Sequence, residues 1–282
     1  MNRKIFEIPL NGSSLRLGET TKIMGVINVT ADSFSGDGIY DAPEKARERA
    51  LRMIEEGAGI IDIGGESSRP GATHVPEEEE KNRVVPVIRM LAKSVKVPIS
   101  VDTVKAGVAS AALDAGASIV NDISGLKFDD KMAAVVAREN AGCVLMHIKG
   151  TPETMQQYPV YASLIPEIIG SLKESISLAY SAGIRKEKLI IDPGIGFGKT
   201  WIHNLQIIRN LQDFACLDLP ILLGTSRKSF IGHVVDLPVQ ERLFPTIATV
   251  VAAVLNGAHI VRVHDVKETA QALRMTDAIL NN

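Results

Sequence analysis

Several things are scarce in this sequence, and each scarcity excludes a class of explanation. Only two cysteines, Cys143 and Cys216, occur in 282 residues, so neither a disulfide framework nor a cysteine zinc site can be built. Cys143 stands in the apolar run Cys143, Val144, Leu145, Met146, which suits a buried thiol. Charge of either sign is not in excess: 31 basic against 33 acidic residues leave a net charge of -2. That balance excludes a broad basic field for nucleic acid. Long hydrophobic runs are missing too. The most apolar stretch, "IATVVAAVL", is far too short to cross a bilayer. The opening "MNRKIFEIPLNG" starts basic, but Glu7 and Pro9 interrupt what would be a signal peptide's apolar core. No linker or low-complexity tract divides the chain. The expectation is a cytoplasmic protein with one domain over residues 1–282, preceded by a short lead-in of about 21 residues.

What is present is a repeated theme: a helical pattern ending in Gly, then a short apolar run. It occurs in "EEGAGIIDIGG", "LDAGASIVNDISG", "NAGCVLMHI" and "NGAHIVRVHDV". Gly57, Gly116, Gly142 and Gly257 suit the left-handed position just past a helix end. Runs apolar on both faces read as buried parallel strands. "KIMGVIN", "VPISVD", "KLIIDPG" and "LPILLG" add four more. Between and after these eight runs the pattern predicts helices over roughly 44–57, 76–95, 104–115, 130–140, 163–183, 201–212, 241–256 and 267–280. Pro76 followed by "EEEE" is a favourable helix start, its acids read as a solvated face. Eight β-then-α units in this length fit an α/β fold of the (β/α)8 barrel type, of about 250 residues. An open doubly wound sheet is the competing architecture.

The position of the polar residues favours the barrel. Asn28 ends the first strand, and Ser68 and Arg69 follow the second in "GGESSRPG". Asp102 ends the third, Asn121 and Asp122 the fourth, His147 the fifth and Asp192 the sixth. "GTSRKS" follows the seventh, and Arg262 and His264 close the eighth. A barrel gathers such strand ends into one ring, where barrel enzymes keep their sites.

Two motifs need separating from nucleotide loops. "DPGIGFGKT" lacks the first Gly of a phosphate loop, since Pro193 holds that position, and Lys199 replaces the third Gly of a dinucleotide fingerprint. Its glycines instead let the backbone turn beside a ligand, with Phe197 as a wall or as core. "GTSRKSFIG" puts Ser226, Arg227, Lys228 and Ser229 at a helix start, a common phosphate site in barrels when paired with the eighth strand. In "HIVRVHDV", Ile260, Arg262 and His264 share one face of a strand, and two potential cations there require an anion opposite. Asp102, Asn121 and Asp192 supply the other side of a polarised pocket. One side accepts hydrogen bonds from a planar, N–H-rich heterocycle and the other holds an anion. His74, His203, His233 and His259 have no such company and read as ordinary.

Assembled in this order, "NVTADSFS", "DIGGESSRPGA", "SVDT", "NDISG", "MHIKGTPETMQ", "DPGIGFGK", "GTSRKSFIG" and "RVHDVKE" closely resemble the dihydropteroate synthase family over residues 22–280. The resemblance implies a (β/α)8 barrel that joins 6-hydroxymethyl-7,8-dihydropterin diphosphate to p-aminobenzoate, releases pyrophosphate, works with Mg2+ and forms a homodimer. It implies pterin contacts from Asp102, Asn121, Met146, Asp192, Gly224 and Lys228. For the diphosphate it implies Asn28, Ser68, Arg262 and His264, with Asn28 as the Mg2+ ligand. For p-aminobenzoate, the site occupied by sulfonamides in the family, it implies Ser68, Arg69, Pro70, Phe197 and Ser229. Asp37, or alternatively Asp32, is the expected acid of the first loop. The sequence departs from the family at Ser68 (usually Thr), Ala31 (usually Pro), Gly36-Asp37 (usually reversed in type) and "RLFPT". A pterin-dependent methyltransferase and a non-catalytic pterin-binding protein are the rival readings. The first has little need for "SSRPG", "SRKSF" and an Arg/His pair, and the second has no need for Lys228, Arg262 and His264 together.

Overall fold

The computed structural model describes residues 3–30, 43–69, 71 and 74–282; Ala31, Asp32, Gly36, Asp37 and Pro70 lie outside the described residues. The segment expected to be a lead-in contains an antiparallel hairpin, β1 (Phe6–Leu10) and β2 (Ser13–Leu17), turning through Gly12. The alternation of "SSLRL" was a strand signal, since Leu15 and Leu17 are buried while Arg16 is exposed.

Eight parallel strands follow: β3 (Lys22–Asn28), β4 (Ile60–Gly64), β5 (Ile99–Asp102), β6 (Ile119–Asp122), β7 (Gly142–Met146), β8 (Leu189–Asp192), β9 (Leu222–Leu223) and β10 (Ile260–Val263). Their order runs β8-β7-β6-β5-β4-β3-β10-β9, and a parallel bridge between Ile191 and Ile221 closes the ring. The fold is the expected (β/α)8 barrel, and the open sheet is excluded by that closure. Helices α1 (Pro43–Glu56), α2 (Glu77–Ala92), α3 (Ala106–Asp114), α4 (Met132–Arg138) and α5 (Leu164–Ser181) cover the first half. The second half carries α6 (Trp201–Arg209), α7 (Ser229–Val235), α8 (Leu243–Leu255) and α9 (Val266–Asn281). The short α7 begins at the helix start read from "GTSRKSFIG", ahead of the longer helix expected over 241–256.

Strand alternation sorts the side chains into two cores. Ile61, Ile63, Val101, Val120, Leu145, Ile191, Val261 and Val263 face outward and pack under the helices. Met24, Ile60, Ile119, Val144, Ile190, Leu222 and Ile260 face inward near the strand starts, where Ile8, Leu10, Leu15 and Leu17 of the hairpin plug the barrel. That plug explains one correction. Gly57, Gly116 and Gly257 have the expected positive φ, but Gly142 does not. Asn140, with φ 50°, ends the preceding helix instead, and Gly142 opens β7. A Cβ on Gly142 would lie 3.1 Å from Leu10 and 3.2 Å from Ile119, so this glycine makes room for the hairpin. The acidic run before α2 needs a second correction. Glu77 and Glu78 are exposed and Glu79 is half-buried, but Glu80 turns inward, almost fully buried, and pairs with Lys105.

Candidate active site

The open end of the barrel receives the next inward residue of each strand, two positions beyond the apolar layer. From β4 this is Asp62, from β5 Asp102, from β6 Asn121, from β8 Asp192 and from β10 Arg262. Arg262 Nε donates to Asp62 Oδ2 at 2.6 Å, and Nη2 donates to Asp102 Oδ2 at 2.7 Å. The cation on β10 therefore already has anions opposite it: two carboxylates of the barrel itself. Asn121 Nδ2 adds a bond of 3.1 Å to Asp62 Oδ2, while Asp62 Oδ1 and Ser100 Oγ have no hydrogen-bond partner. Asp62 was missed in the sequence, although an acid inside "IIDIG" carries the same signal that singled out Arg262.

Burial raises Asp102 to about 7, against the charge of Arg262 and with help from Asp62 and other acids nearby. Arg262 is held charged: the two carboxylates raise it against the desolvation of its site. Asp192 also lies within electrostatic range of Arg262, so the acidic and basic groups share one cup. Burial raises Asp192 above the ordinary carboxylate range, opposed chiefly by Lys228. Its Oδ1 accepts the Gly194 N–H at 2.7 Å, which fixes the carboxylate at the root of the "GIGFGK" loop.

Lys228 reaches across from the loop after β9. Its ammonium bonds the Ile195 carbonyl and lies 4.7 Å from the centre of the Phe197 ring. Burial lowers Lys228 to about 8, with Asp192 opposing the shift. Phe197 is buried with Met146, Ile123 and Met155, so the expected wall and the expected ring contact belong to one apolar patch. Gly224 lies beneath Arg262, where an added Cβ would meet the Arg262 side chain only at ordinary contact, 3.5 Å.

Positions on the rim are more varied. His264 Nδ1 is 2.9 Å from Ser226 Oγ, which also accepts the His264 N–H at 3.3 Å. Arg227 holds a left-handed φ of 57° and clamps Asp265 through Nε at 2.9 Å and Nη2 at 2.5 Å. This pair ties the loop of Lys228 to the strand of Arg262 and His264. Asn28 ends β3 half-buried, Ser68 and Arg69 lie half-buried in the loop after β4, and Ser229 is exposed at the start of α7. Asp37 and Pro70 lie outside the described residues. Asp122 departs from the ring of strand-end polar groups: its carboxylate faces away from Asn121 and caps the Ser124 and Leu126 amides at 2.7 and 2.9 Å. Adjacent strand residues cannot both point inward. Among the described residues no cluster of three or more His, Cys, Asp or Glu side chains is arranged to hold a metal. His203 completes a capping box with Thr200, and His259 packs edge-on against Phe6 at 5.2 Å, both structural roles as expected.

A cavity of about 1100 Å³ opens beside this cup. It shares Asp102 and Ser68 with it and runs outward past Lys105, Ile123 and Phe128.

The sequence model of the pterin-binding enzymes matches residues 24–264, which spans every strand of the barrel. The chain belongs to the pterin-binding enzyme family. Within the family it is 51% identical over 269 residues to the dihydropteroate synthase of Bacillus subtilis, covering 95% of this chain and 92% of that one. A Yersinia pestis dihydropteroate synthase in complex with a sulfonamide drug superposes with a TM-score of 0.94 at 41% identity, covering 98% of this chain and 100% of that one. A Xanthomonas albilineans dihydropteroate synthase with 4-aminobenzoic acid gives a TM-score of 0.91 at 39% identity, covering 99% and 100%. No helix among the described residues of this family member is long and apolar enough to cross a membrane.

Proposed function

We infer that the chain is a dihydropteroate synthase, a transferase of folate biosynthesis that condenses (7,8-dihydropterin-6-yl)methyl diphosphate with p-aminobenzoate. The observation that carries this reading is the cup in which Asp102, Asn121 and Asp192 face Arg262 and Lys228 across the barrel mouth. A pterin presents a flat ring edge rich in N–H donors. Asp192 and Asn121, deep in the cup, suit that edge, with Asp102 beside them and Met146 against the ring face. Lys228 and the backbone at Gly224 close the remaining side.

Arg262 and His264 at the lip, with Asn28 on the adjacent strand β3 and Ser68 in the loop after β4, suit the diphosphate. Pyrophosphate departure leaves a cation delocalised over the pterin, which the arylamine nitrogen attacks. The chain's task is to stabilise the leaving group and align the nucleophile. One cation about 4 Å from a phosphate oxygen contributes on the order of 4 kcal/mol at an effective dielectric of about 20. Arg262 must do this while its charge is partly compensated by Asp62 and Asp102. The donor set therefore fits an added Mg2+: the cup's own positive charge is matched by its acids, and a bound diphosphate would leave an excess of negative charge. Asn28 would supply one amide oxygen to such an ion, with phosphate oxygens and waters completing the shell. The ion would supply charge neutralisation to the departing pyrophosphate. Ser68, Arg69, Pro70, Phe197 and Ser229 are proposed to receive p-aminobenzoate, and Asp37 or Asp32 to provide the acid of the first loop.

The proposal extends to the assembly. The full 282 residues act as one domain, since the hairpin seals the barrel. Exposed apolar side chains on α6, α7 and α8, Phe244 foremost at 80% exposure, favour a homodimer. Two unpaired cysteines suit the cytoplasm. Purified protein supplied with pterin diphosphate, labelled p-aminobenzoate and Mg2+ is expected to form labelled dihydropteroate and pyrophosphate, and omission of any one is expected to stop both. Complete mixtures yielding no labelled dihydropteroate would refute the synthase reading.

A further inference from the structure

In the loop Gly194–Gly198 most of the backbone carbonyls are held by side chains. Asn204 Oδ1 accepts the Gly196 N–H at 2.7 Å, and Gln156 Nε2 donates to the Gly196 carbonyl at 2.8 Å. Tyr161 donates its hydroxyl to the Gly198 carbonyl at 2.8 Å, and Lys228 takes the Ile195 carbonyl. The Phe197 carbonyl accepts from Lys199 Nζ at 2.9 Å, and the Gly194 carbonyl takes the Phe197 N–H within the loop at 3.2 Å.

Lys199 then reaches the end of β7. The same Nζ lies 2.8 Å from His147 Nδ1 and 3.4 Å from the His147 carbonyl. Burial lowers Lys199 well below the usual lysine value, with Asp192 opposing the shift, and the three acceptors match the three donors that its amine carries when protonated. The Lys199 side chain is 2% exposed as part of its residue, and His147 is 6% exposed, so no solvent substitutes for these bonds. His147 is kept neutral, lowered to about 2 by burial first and by Lys199 second. Nδ1 is thus an acceptor, and the ring proton resides on Nε2.

The contact is close as well as bonded. A Cβ on Gly194 would lie 1.9 Å from the His147 carbonyl oxygen, and one on Gly198 would lie 2.4 Å from the Lys149 carbonyl oxygen. The two loops therefore touch backbone to backbone on either side of Lys199. Met146 precedes His147 on β7, and Phe197 lies two residues before Lys199. One amine connects the strand that carries the proposed ring contact to the loop that carries the proposed arylamine wall.

We propose that Lys199 is a positioning residue that latches the Phe197 loop onto the end of β7 through His147, and so sets the slot in which the arylamine lines up with the pterin. Neither residue is among the proposed substrate contacts. β7 is fixed by its neighbours in the sheet, so loss of the latch displaces the loop rather than the strand, and the arylamine feels it more than the pterin does. This inference rests on the synthase reading, and wild-type protein assayed alongside separates the two: an inactive wild type refutes the reading, whereas an active one leaves the latch to be judged alone.

Lys199→Met removes the donors with little change of volume. It is expected to raise KM for p-aminobenzoate about tenfold and to lower kcat. Affinity for a dephosphorylated pterin, measured by calorimetry, is expected to change less than threefold. His147→Leu removes the acceptor and is expected to give the same pattern, with the double variant no worse than either single one. His147→Asn keeps an acceptor near the position of Nδ1 and is expected to restore KM to within about threefold of wild type. Equal losses for p-aminobenzoate and pterin, or an Asn variant as impaired as Leu, would mark the pair as general scaffolding and overturn the proposal. An unchanged KM in Lys199→Met would overturn it too. Should Lys199→Met not fold, His147→Asn against His147→Leu decides the matter.

Discussion

At the closed end of the barrel Ile60, Ile119, Ile190 and Ile260 meet the hairpin in a dry cluster; two residues further along the same strands stand Asp62, Asn121, Asp192 and Arg262. The distance along each strand is only about 7 Å. Backbone, sheet register and facing direction are shared by the two layers. What differs is the company: the lower layer is met by Leu15 and Leu17, the upper by opposite charges and by the mouth. Stability and chemistry are thus stacked on one set of strands and should be separable by substitution.

The largest expected effect lies in the upper layer. Arg262→Ala removes the cation and leaves Asp62 and Asp102 facing each other. Turnover is expected to fall by about 10³ or more, in line with loss of a preorganised charge at a departing group. Binding of the diphosphate should suffer far more than binding of the dephosphorylated pterin; calorimetry with both ligands checks this, and equal losses would break the assignment of β10 to the leaving group. The lower layer gives the opposite signature. Leu17→Ala, at a fully buried position of the plug, is expected to cost about 3 kcal/mol of stability by denaturant titration, with kcat/KM unchanged at a temperature where the protein stays folded. A comparable loss of kcat/KM would show that the two ends are mechanically coupled.

The smallest effect sharpens the comparison within the upper layer. Lys228 is lowered to about 8 from 10.5, so above about pH 8 it loses its charge in the folded state while still protonated in the unfolded one. Unfolded chain then binds more protons, and this group's contribution to stability rises with pH between about 8 and 10.5, falling again as pH drops through 8. Function runs the other way. The kcat/KM for pterin diphosphate is expected to fall about tenfold per pH unit above 8, and Lys228→Arg is expected to remove that limb. A pH–rate profile of the two proteins tests it; an alkaline limb that survives in Lys228→Arg belongs to another group.

The layering also explains how far the sequence could be read. Gly-terminated helices and two-sided apolar runs made the barrel legible, because each βα unit repeats the same local physics. Asp102, Asn121, Asp192 and Arg262 were legible as residues of the barrel mouth because polar groups at strand ends break an apolar pattern, and Lys228 because it stands at a helix start in "GTSRKSFIG". Asp62 broke the apolar pattern two positions before its strand's end and was passed over, since that strand continues to Gly64. The anion sought for Arg262 was consequently placed outside the protein, when two acids within it come first. Asp122 erred in the other direction: sequence proximity to Asn121 hid its opposite facing. The hairpin carried a local strand signal, but its docking on the barrel and the pairing of Glu80 with Lys105 depend on partners more than 20 residues away, and no local pattern announces such partners. Lys199 was visible only as a residue spoiling a nucleotide motif, while its contact with His147 spans 52 positions.

The hairpin has one more consequence, for the order of assembly. Leu17 and Ile8 complete their cluster only against Leu222 and Ile260, and Arg3 bonds Asp277 at 2.6 Å, 274 positions away. The hairpin residues must wait, with apolar side chains uncovered, until β9 and β10 emerge. Such long-range closure slows folding and lengthens exposure to misassociation. During synthesis the chain is therefore most vulnerable at this hairpin, which is made before the strands it docks on.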